Sequence, residues 1–398
     1  MKILVCHNFY QQSGGEDRVF QDEVNVLKSK GHEVFTYTRH NDDLAKVSRF
    51  AAAVGLFWSQ RTYKEVLRLI REHRPDIVQV HNFFPLISPS VFYAARTEHV
   101  PVVLTFHNPR LMCPSGNFMR KGDLCIACLG RRFAWPGVYH RCYRASFLFT
   151  CGIALMSFWH RWIGTWDRVL SGYIASTNFY RDLFIRHGIP AEKVHIKPHM
   201  VADDPGLSHV QGAYALFVGR LDPEKGAMTL IEAWKVLKDQ GVAVPLKILG
   251  DGQMRQAMEK LILQHQLKDV SFLPRMSRQG LFDLMKGSRF LVWPSKGYYE
   301  TFGLVAFEAY ACGRPVIASN IGVLAEHVKD HETGLDFIPG DATDLARKVA
   351  WAWEHPEEMR QMGLAGRKFY EQGYTAQAVY ERLIRIYQQL IDTQGQKL

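Results

Sequence analysis

Gly219-Arg220-Leu221-Asp222-Pro223-Glu224-Lys225-Gly226 stands between an apolar run at 214–218 and a helical pattern at 227–240. A strand, a glycine-bounded loop and a helix in that order form the unit from which doubly wound α/β sheets are built. Glycine lets backbone come close to a ligand, and the helix that follows turns its first N–H groups back toward the loop. Arg220 and Lys225 add two cations at that anion-receptive end. A diphosphate suits them, because Arg can bind phosphate through two N–H groups and Lys acts as a point charge. Taken alone, the same octapeptide also fits a solvated turn.

The alternation continues outward from this loop. Downstream, residues 246–249, 270–273, 290–293 and 315–318 read as strands, Gly250-Asp251-Gly252 as a turn, and 254–264 and 303–311 as helices. Upstream, strands at 2–6, 33–37, 76–80, 100–106, 173–175 and 194–196 alternate with helices such as 17–30 and 63–73. The polar stretch 201–212, VADDPGLSHVQG, reads as a linker between the two series. Near-continuous apolar strands separated by helices imply parallel sheets covered on both faces. The expected fold class is therefore α/β, with two Rossmann-like doubly wound domains, 1–205 and 206–375, facing each other across a cleft. The tail, 376–398, carries an amphipathic helix that packs back on the first domain. Ligands of such sheets lie beyond the carboxyl ends of the strands.

A second strand-to-helix junction narrows the chemistry. In residues 294–309, PSKGYYETFGLVAFEA, Glu300 precedes a helix and Glu308 lies inside it, eight positions on. Between them Thr301, Gly303 and Leu304 offer backbone N–H groups at the helix start, where the dipole favours a diphosphate. Ionised carboxylates only accept hydrogen bonds, and sugars present many donors. Two acids favoured by the helix dipole alone would be the plainer reading of this spacing.

GRLDPEKG, the GDG turn, PSKGYYETFGLVAFEA, ACGRPVIAS and HETGLDF, in that order, resemble the donor domain of the retaining glycosyltransferases of family four, which have the two-domain GT-B fold. The resemblance covers most of 214–345 and the first-half loops more loosely. It implies that Arg220 and Lys225, with Gly219, hold the diphosphate of a nucleotide sugar linked to UDP, GDP, ADP or dTDP. It implies that Glu300 contacts sugar hydroxyls, aided by backbone at Phe302, Gly303 and Leu304, and that Glu308 binds the ribose. Residues near 273–276, Arg275 among them, would lie against the base. In the first half, Ser13-Gly14-Gly15 resembles the glycine-rich loop facing sugar and acceptor, and His107 matches the family's active-site histidine. Where many members carry Gly-Gly before a later Glu, this chain has Ile321-Gly322-Val323 before Glu326. The implied reaction is sugar transfer with retention of configuration, catalysed by His107, Glu300, Arg220 and Lys225. Those cations and the helix start would stabilise the leaving diphosphate, so no cofactor is required for catalysis. Another nucleotide-sugar enzyme of this fold, such as an epimerase, and a non-catalytic sugar-nucleotide binder are the alternatives. The acceptor would be a carbohydrate or a lipid-linked chain, in surface polysaccharide, lipopolysaccharide or glycolipid synthesis.

Composition sets outer bounds. The chain has 398 residues, 47% of them hydrophobic, which excludes a disordered or collagen-like protein and leaves ample core. Its net charge of +10 is lopsided: residues 1–200 carry 26 Lys and Arg against 15 Asp and Glu, the remainder 23 against 24. An anionic partner for the first half follows. No nucleic-acid module is recognisable, so nucleic acid is not expected. Seven cysteines and an N-terminus without an export signal point to a reducing, cytoplasmic setting. Four of them, Cys113, Cys125, Cys128 and Cys142, fall within 30 residues in a basic insertion at about 110–165. A C-x2-C pair with two outer cysteines fits a structural zinc site; an iron–sulfur cluster and unligated thiols fit it too. Beside them Arg120, Lys121, Arg131, Arg132, Arg141 and Arg144 adjoin an aromatic-apolar run ending at Trp166. That juxtaposition suits peripheral contact with an anionic membrane at its inner face; a helix buried against the sheet suits the run as well.

Overall fold

The computed structural model describes residues 1–11, 14–46 and 48–396. The chain forms two compact units. The first comprises residues 1–117, 126–202 and 376–398; the second comprises 118–125 and 203–375.

The first unit is built on six parallel strands: β1 (Lys2–Phe9), β2 (Glu33–His40), β3 (Ile77–Asn82), β4 (Val102–Thr105), β7 (Gly172–Ala175) and β8 (Val194–Ile196). Their spatial order is β2-β1-β3-β4-β7-β8, with Ile3 opposite Val34 on one side and Ile77 on the other. β1 runs three residues beyond the apolar run that announces it. Its polar end is accommodated because His7 Nε2 lies 2.7 Å from Asp17 Oδ1 and Asn8 Nδ2 donates to Asn41 Oδ1 at 2.8 Å. Buried polar groups are tolerated when paired in this way.

Helix Gly15–Ser29 covers one face, burying Val19, Phe20, Glu23, Val24 and Leu27. The C-terminal helix Ala376–Gly395 packs on the same unit. Leu383, Ile386, Tyr387 and Leu390 join Ile3, Val5, Phe20 and Val24 in one apolar cluster. The Tyr387 hydroxyl donates to Gln79 Oε1 beneath them.

The second unit contains a small hairpin, β5 (Met119–Arg120) with β6 (Asp123–Leu124), and a second parallel sheet. Its strands are β9 (Ala215–Val218), β10 (Leu246–Leu249), β11 (Val270–Leu273), β12 (Phe290–Trp293), β13 (Val316–Ser319) and β14 (Gly334–Phe337), ordered β11-β10-β9-β12-β13-β14. β14 has no apolar run to announce it. Gly334 is required there because a Cβ would come within 1.9 Å of the Val316 carbonyl. The stretch read as a linker is pinned to this unit from residue 203 onward. Arg367 grips Asp204 through Nη1 and Nη2 at 2.6 and 2.7 Å, and Ser208 N–H donates to the Cys312 carbonyl at 3.0 Å.

Among the described residues, no helix is long and apolar enough to cross a membrane.

Candidate active site

In the second sheet the strand order reverses between β9 and β12. A crevice opens beyond the strand ends at such a point. Both diagnostic loops leave from it, 219–226 after β9 and 294–303 after β12. They are stitched together: Lys296 N–H donates to the Glu224 carbonyl at 2.7 Å. Gly226 makes the approach possible, since its φ is +72° and a Cβ would sit 1.9 Å from the Pro294 carbonyl oxygen.

This stitching brings Arg220, Lys225 and Glu300 together. Lys225 Nζ lies 2.5 Å from Glu300 Oε1, which also accepts from Ser295 Oγ at 3.0 Å and Trp293 Nε1 at 3.2 Å. Burial pushes the Glu300 carboxyl up, but Lys225 and the two hydrogen bonds outweigh it and hold the carboxyl below its usual range. Burial pulls the Lys225 ammonium down, and Glu300 more than restores it. Both groups are ionised near neutral pH. Arg220 donates to the Tyr299 hydroxyl at 2.5 Å and pairs with Asp222 at 3.0 Å. Tyr299 thus stands between the two cations, its ring centre 5.0 Å from Lys225 Nζ and 5.6 Å from the Arg220 guanidinium carbon.

Helix Leu304–Ala311 begins beside this cluster. Gly303, at its start, has φ +83°, and a Cβ there would fall 2.1 Å from the Trp293 ring. Phe302 turns inward and stacks on Phe307 with ring centres 4.8 Å apart, so its side chain belongs to the core. Glu308 is buried within the helix. Arg275, expected against the base and not at the diphosphate, lies apart from this cluster. It is exposed in the loop after the edge strand β11, two strands or roughly 9–10 Å across the sheet from β9. The structure does not bring it into the cluster, because distance along a motif does not report the order of strands in a sheet.

The first unit carries a separate polar constellation. Its strand order reverses between β1 and β3, and histidines crowd the strand ends there. His81 Nδ1 and His107 Nε2 share a hydrogen bond of 2.9 Å. On its other side, His81 Nε2 lies 3.2 Å from Glu23 Oε1, and Glu23 is ion-paired with Lys197. The His199 ring stacks on His107 with centres 5.3 Å apart. All five side chains are buried. Burial, with the neighbouring His81, His199, His7 and Lys197, drops His107 well below the usual imidazole range, so it is neutral at pH 7. Burial also pushes the Glu23 carboxyl up, but Lys197 and His81 overcome it and hold the carboxyl low.

His81, His107, Asn108, Arg110 and Phe84 line a cavity beyond β3 and β4. The Arg110 guanidinium stacks 4.4 Å over Phe84. Glu16, bonded to Asn108 Nδ2 at 3.3 Å, has its carboxyl raised by burial to about 7. Gly14 and Gly15 open helix Gly15–Ser29, and a Cβ on either would meet nothing within 4 Å. Ser13 lies outside the described residues.

The four cysteines considered for a structural zinc site are all thiols outside any disulfide, Cys113 and Cys128 buried and Cys125 and Cys142 partly so. Among the described residues, no group of three or more His, Cys, Asp or Glu side chains is placed to share a metal ion. Cys125 belongs to the hairpin segment of the second unit, whereas Cys113, Cys128 and Cys142 belong to the first. Cys113 Sγ lies 3.1 Å from Ser115 Oγ, and Cys128 Sγ 4.0 Å from the Ala134 carbonyl oxygen.

Sequence reading passed over Glu23, Lys197, His199, Glu16 and Arg110, and gave Tyr299, Trp293 and Ser295 no part. One signal was available for Glu23. It falls on the apolar face of its helix with Phe20, Val24 and Leu27, and an acid on such a face calls for a buried partner.

Two parallel six-stranded sheets, each with a polar constellation at its switch point, define a protein of the GT-B class. A family profile described as "Glycosyl transferases group 1" matches residues 204–369, and one described as "Glycosyltransferase Family 4" matches residues 13–204. The chain is 34% identical over 156 residues to an uncharacterized glycosyltransferase of Methanocaldococcus jannaschii, covering 39% of this chain and 42% of that protein. It thus spans less than half of that relative's length. It is 32% identical over 322 residues to the glycogen synthase of Mycobacterium tuberculosis, covering 80% of this chain and 69% of that enzyme. The crystal structure of Anabaena Alr3699/HepE in complex with UDP-glucose shares the fold, with a TM-score of 0.67 at 17% identity over 100% of both chains. The chain belongs to the group 1 glycosyltransferases, family four.

Proposed function

We propose that the protein is a cytoplasmic retaining glycosyltransferase (EC 2.4) that moves a sugar from a nucleotide diphosphate to an acceptor hydroxyl. The observation that carries this reading is the Lys225–Glu300 pair, largely shielded from solvent at 17% and 12% exposure, at the switch point of the second sheet and beside a helix start. A lone buried charge is costly, so a pair kept there, with Arg220 next to it, is a site prepared for ionic ligands. The solved complex of Anabaena Alr3699/HepE with UDP-glucose supports a nucleotide-sugar donor.

In this reading Arg220, Lys225 and the N–H groups of Gly303 and Leu304 hold the donor diphosphate. Glu300 receives its three donors on Oε1, which leaves Oε2 to accept from a sugar hydroxyl. Glu308 takes the ribose. As the glycosidic bond lengthens, positive charge grows on the sugar and negative charge on the leaving diphosphate. The cations and the helix start are already oriented toward that developing charge, so no metal ion is needed to neutralise it. His107, neutral and at the wall of the first unit's cavity, offers hydrogen bonding on the sugar and acceptor side without adding charge. The acceptor is a carbohydrate or lipid-linked chain of cell-surface glycan synthesis.

The test is transfer by the purified protein from UDP-, GDP-, ADP- and dTDP-sugars in the presence of EDTA, with the product anomer read by proton NMR. One donor is turned over with retained configuration. Lys225→Ala lowers the rate by about a hundredfold or more, the cost of removing one such charge-stabilising group. An inverted product, abolition by EDTA, or undiminished transfer by both Lys225→Ala and Glu300→Ala overturns the assignment. Donor binding without turnover across a broad acceptor set would establish the binder instead.

A further inference from the structure

Helix Phe147–Trp162 is apolar on both sides. Its inner face buries Thr150, Ile153, Ala154, Met156 and His160. His160 fixes this face, with Nδ1 2.8 Å from Thr165 Oγ1 and Nε2 3.0 Å from the Phe57 carbonyl oxygen. Its outer face carries Leu148, Leu155, Trp159 and Trp162 at spacings of seven, four and three, which is one continuous helical stripe. Leu148 is 79% exposed and Trp162 68%. Phe147, Phe149 and Phe158 flank the stripe, and the preceding short helix, Trp135–Tyr139, exposes Trp135 and Tyr139 as well. Isolated exposed leucines need no explanation, but a contiguous apolar face of this extent marks an interaction surface.

Charge identifies the occupant. From residue 124 to residue 166 there is no Asp or Glu, while Arg131, Arg132, Arg141, Arg144 and Arg161 fall within it. Arg161 is turned inward, donating to the His187 carbonyl at 2.8 Å; the other four are exposed. Arg131 lies 5.2 Å over the Trp135 ring, a basic–aromatic pairing at home where hydrocarbon meets headgroups. A face of Trp, Tyr and Leu with four exposed arginines in the same acid-free stretch of chain complements a negatively charged surface with an apolar interior. At 16 residues the helix is about 24 Å long, short of the roughly 30 Å of a bilayer core. Its inner face is already packed on protein, so it can lie only in the plane of an interface.

We propose that the outer face of Phe147–Trp162, with Trp135 and Tyr139, docks the protein on an anionic lipid bilayer. This surface stands on exposure and charge alone and does not depend on the donor-site reading, so its test needs no activity. The full chain is floated with vesicles of phosphatidylcholine alone and of phosphatidylcholine mixed with phosphatidylglycerol. It binds the anionic vesicles at least about tenfold more tightly, since each basic residue near such a surface contributes around a factor of five. Arg131→Glu with Arg141→Glu and Arg144→Glu removes that preference. Leu148→Ser with Trp159→Ser and Trp162→Ser weakens binding to both vesicles by tenfold or more. Both variants keep the parent's melting temperature and circular dichroism spectrum, because all six positions are on the surface. In the parent, lipids brominated along the acyl chain quench tryptophan fluorescence. Equal binding to neutral and anionic vesicles, no binding to either, or a dimer in sedimentation that vanishes in the triple serine variant without any vesicle binding overturns the proposal.

Discussion

The Glu23–Lys197 pair offers a sharp test of how the first unit is held. Both side chains are about 1% exposed, and they lie 174 residues apart, so the pair is made only when helix Gly15–Ser29 docks on the far end of the sheet. Glu23→Gln leaves the Lys197 ammonium buried without its counter-ion and also removes the carboxylate facing His81. Breaking a buried pair from one side costs about 3–5 kcal/mol, a large share of the roughly 5–15 kcal/mol that holds a domain together. Replacing both partners, Glu23→Gln with Lys197→Met, removes the orphan charge and costs less than either single change. Guanidinium denaturation followed by circular dichroism measures this. With a slope of about 4 kcal/mol per molar for a unit of this size, the single variant's first transition moves down by about 1 M. The pH dependence supplies the sign. The Glu23 carboxyl is held low in the folded chain, so its contribution is complete above the unfolded value near 4.3 and is lost as pH falls below it. The gap between parent and Glu23→Gln therefore narrows in acid. A single variant within 1 kcal/mol of the parent, or a double variant whose loss equals the sum of the two single losses, would refute the reasoning, since a double-mutant cycle would then show no favourable coupling.

Three more outcomes can be checked. Gly303→Ala adds a Cβ at φ +83° and 2.1 Å from the Trp293 ring; it lowers the melting temperature by several degrees and weakens nucleotide-sugar binding in a thermal-shift assay. Glu16 titrates near 7 because burial raises it. The stability it contributes is full below about 4.3 and is lost as pH rises through 7, so Glu16→Gln loses less stability than the parent between pH 5 and pH 8 in urea denaturation. Glu300→Gln keeps the shape of the donor site but removes the counter-charge of Lys225; nucleotide-sugar turnover falls by at least about tenfold while the fold survives by circular dichroism, and unchanged turnover would remove Glu300 from the catalytic set.

The donor half was legible because its chemistry is local. A strand end, a glycine and a cation must follow one another within a few residues to meet a phosphate, and Gly219–Gly226 and 294–309 do so. The pairing of Lys225 with Glu300 across 75 residues could be expected only because both loops leave neighbouring strands. Arg275 lies outside that local logic. Its loop also follows a strand, but β11 is at the sheet edge, and nothing in 270–276 states where that strand is inserted.

The first half was harder to read for a physical reason. Its polar constellation draws Glu23 from a helix, His81 and His107 from the ends of two strands, and Lys197 and His199 from the segment after a third. Each residue is unremarkable in its own window: an acid on a helix, a histidine before an asparagine, a lysine before a proline. What unites them is the order β2-β1-β3-β4-β7-β8, which places the switch point beside β1 and β3 instead of between the first and fourth strands as in the second sheet. A parallel sheet thus gathers groups from across the chain into one interior. The pairing of carboxylate with ammonium, and the hydrogen bond between neighbouring imidazoles, is what allows them to be buried there. The same need for a partner makes the outer face of Phe147–Trp162 informative, because Leu148 and Trp162 leave most of their apolar surface uncovered by the described residues, and such a face is matched by an interaction surface.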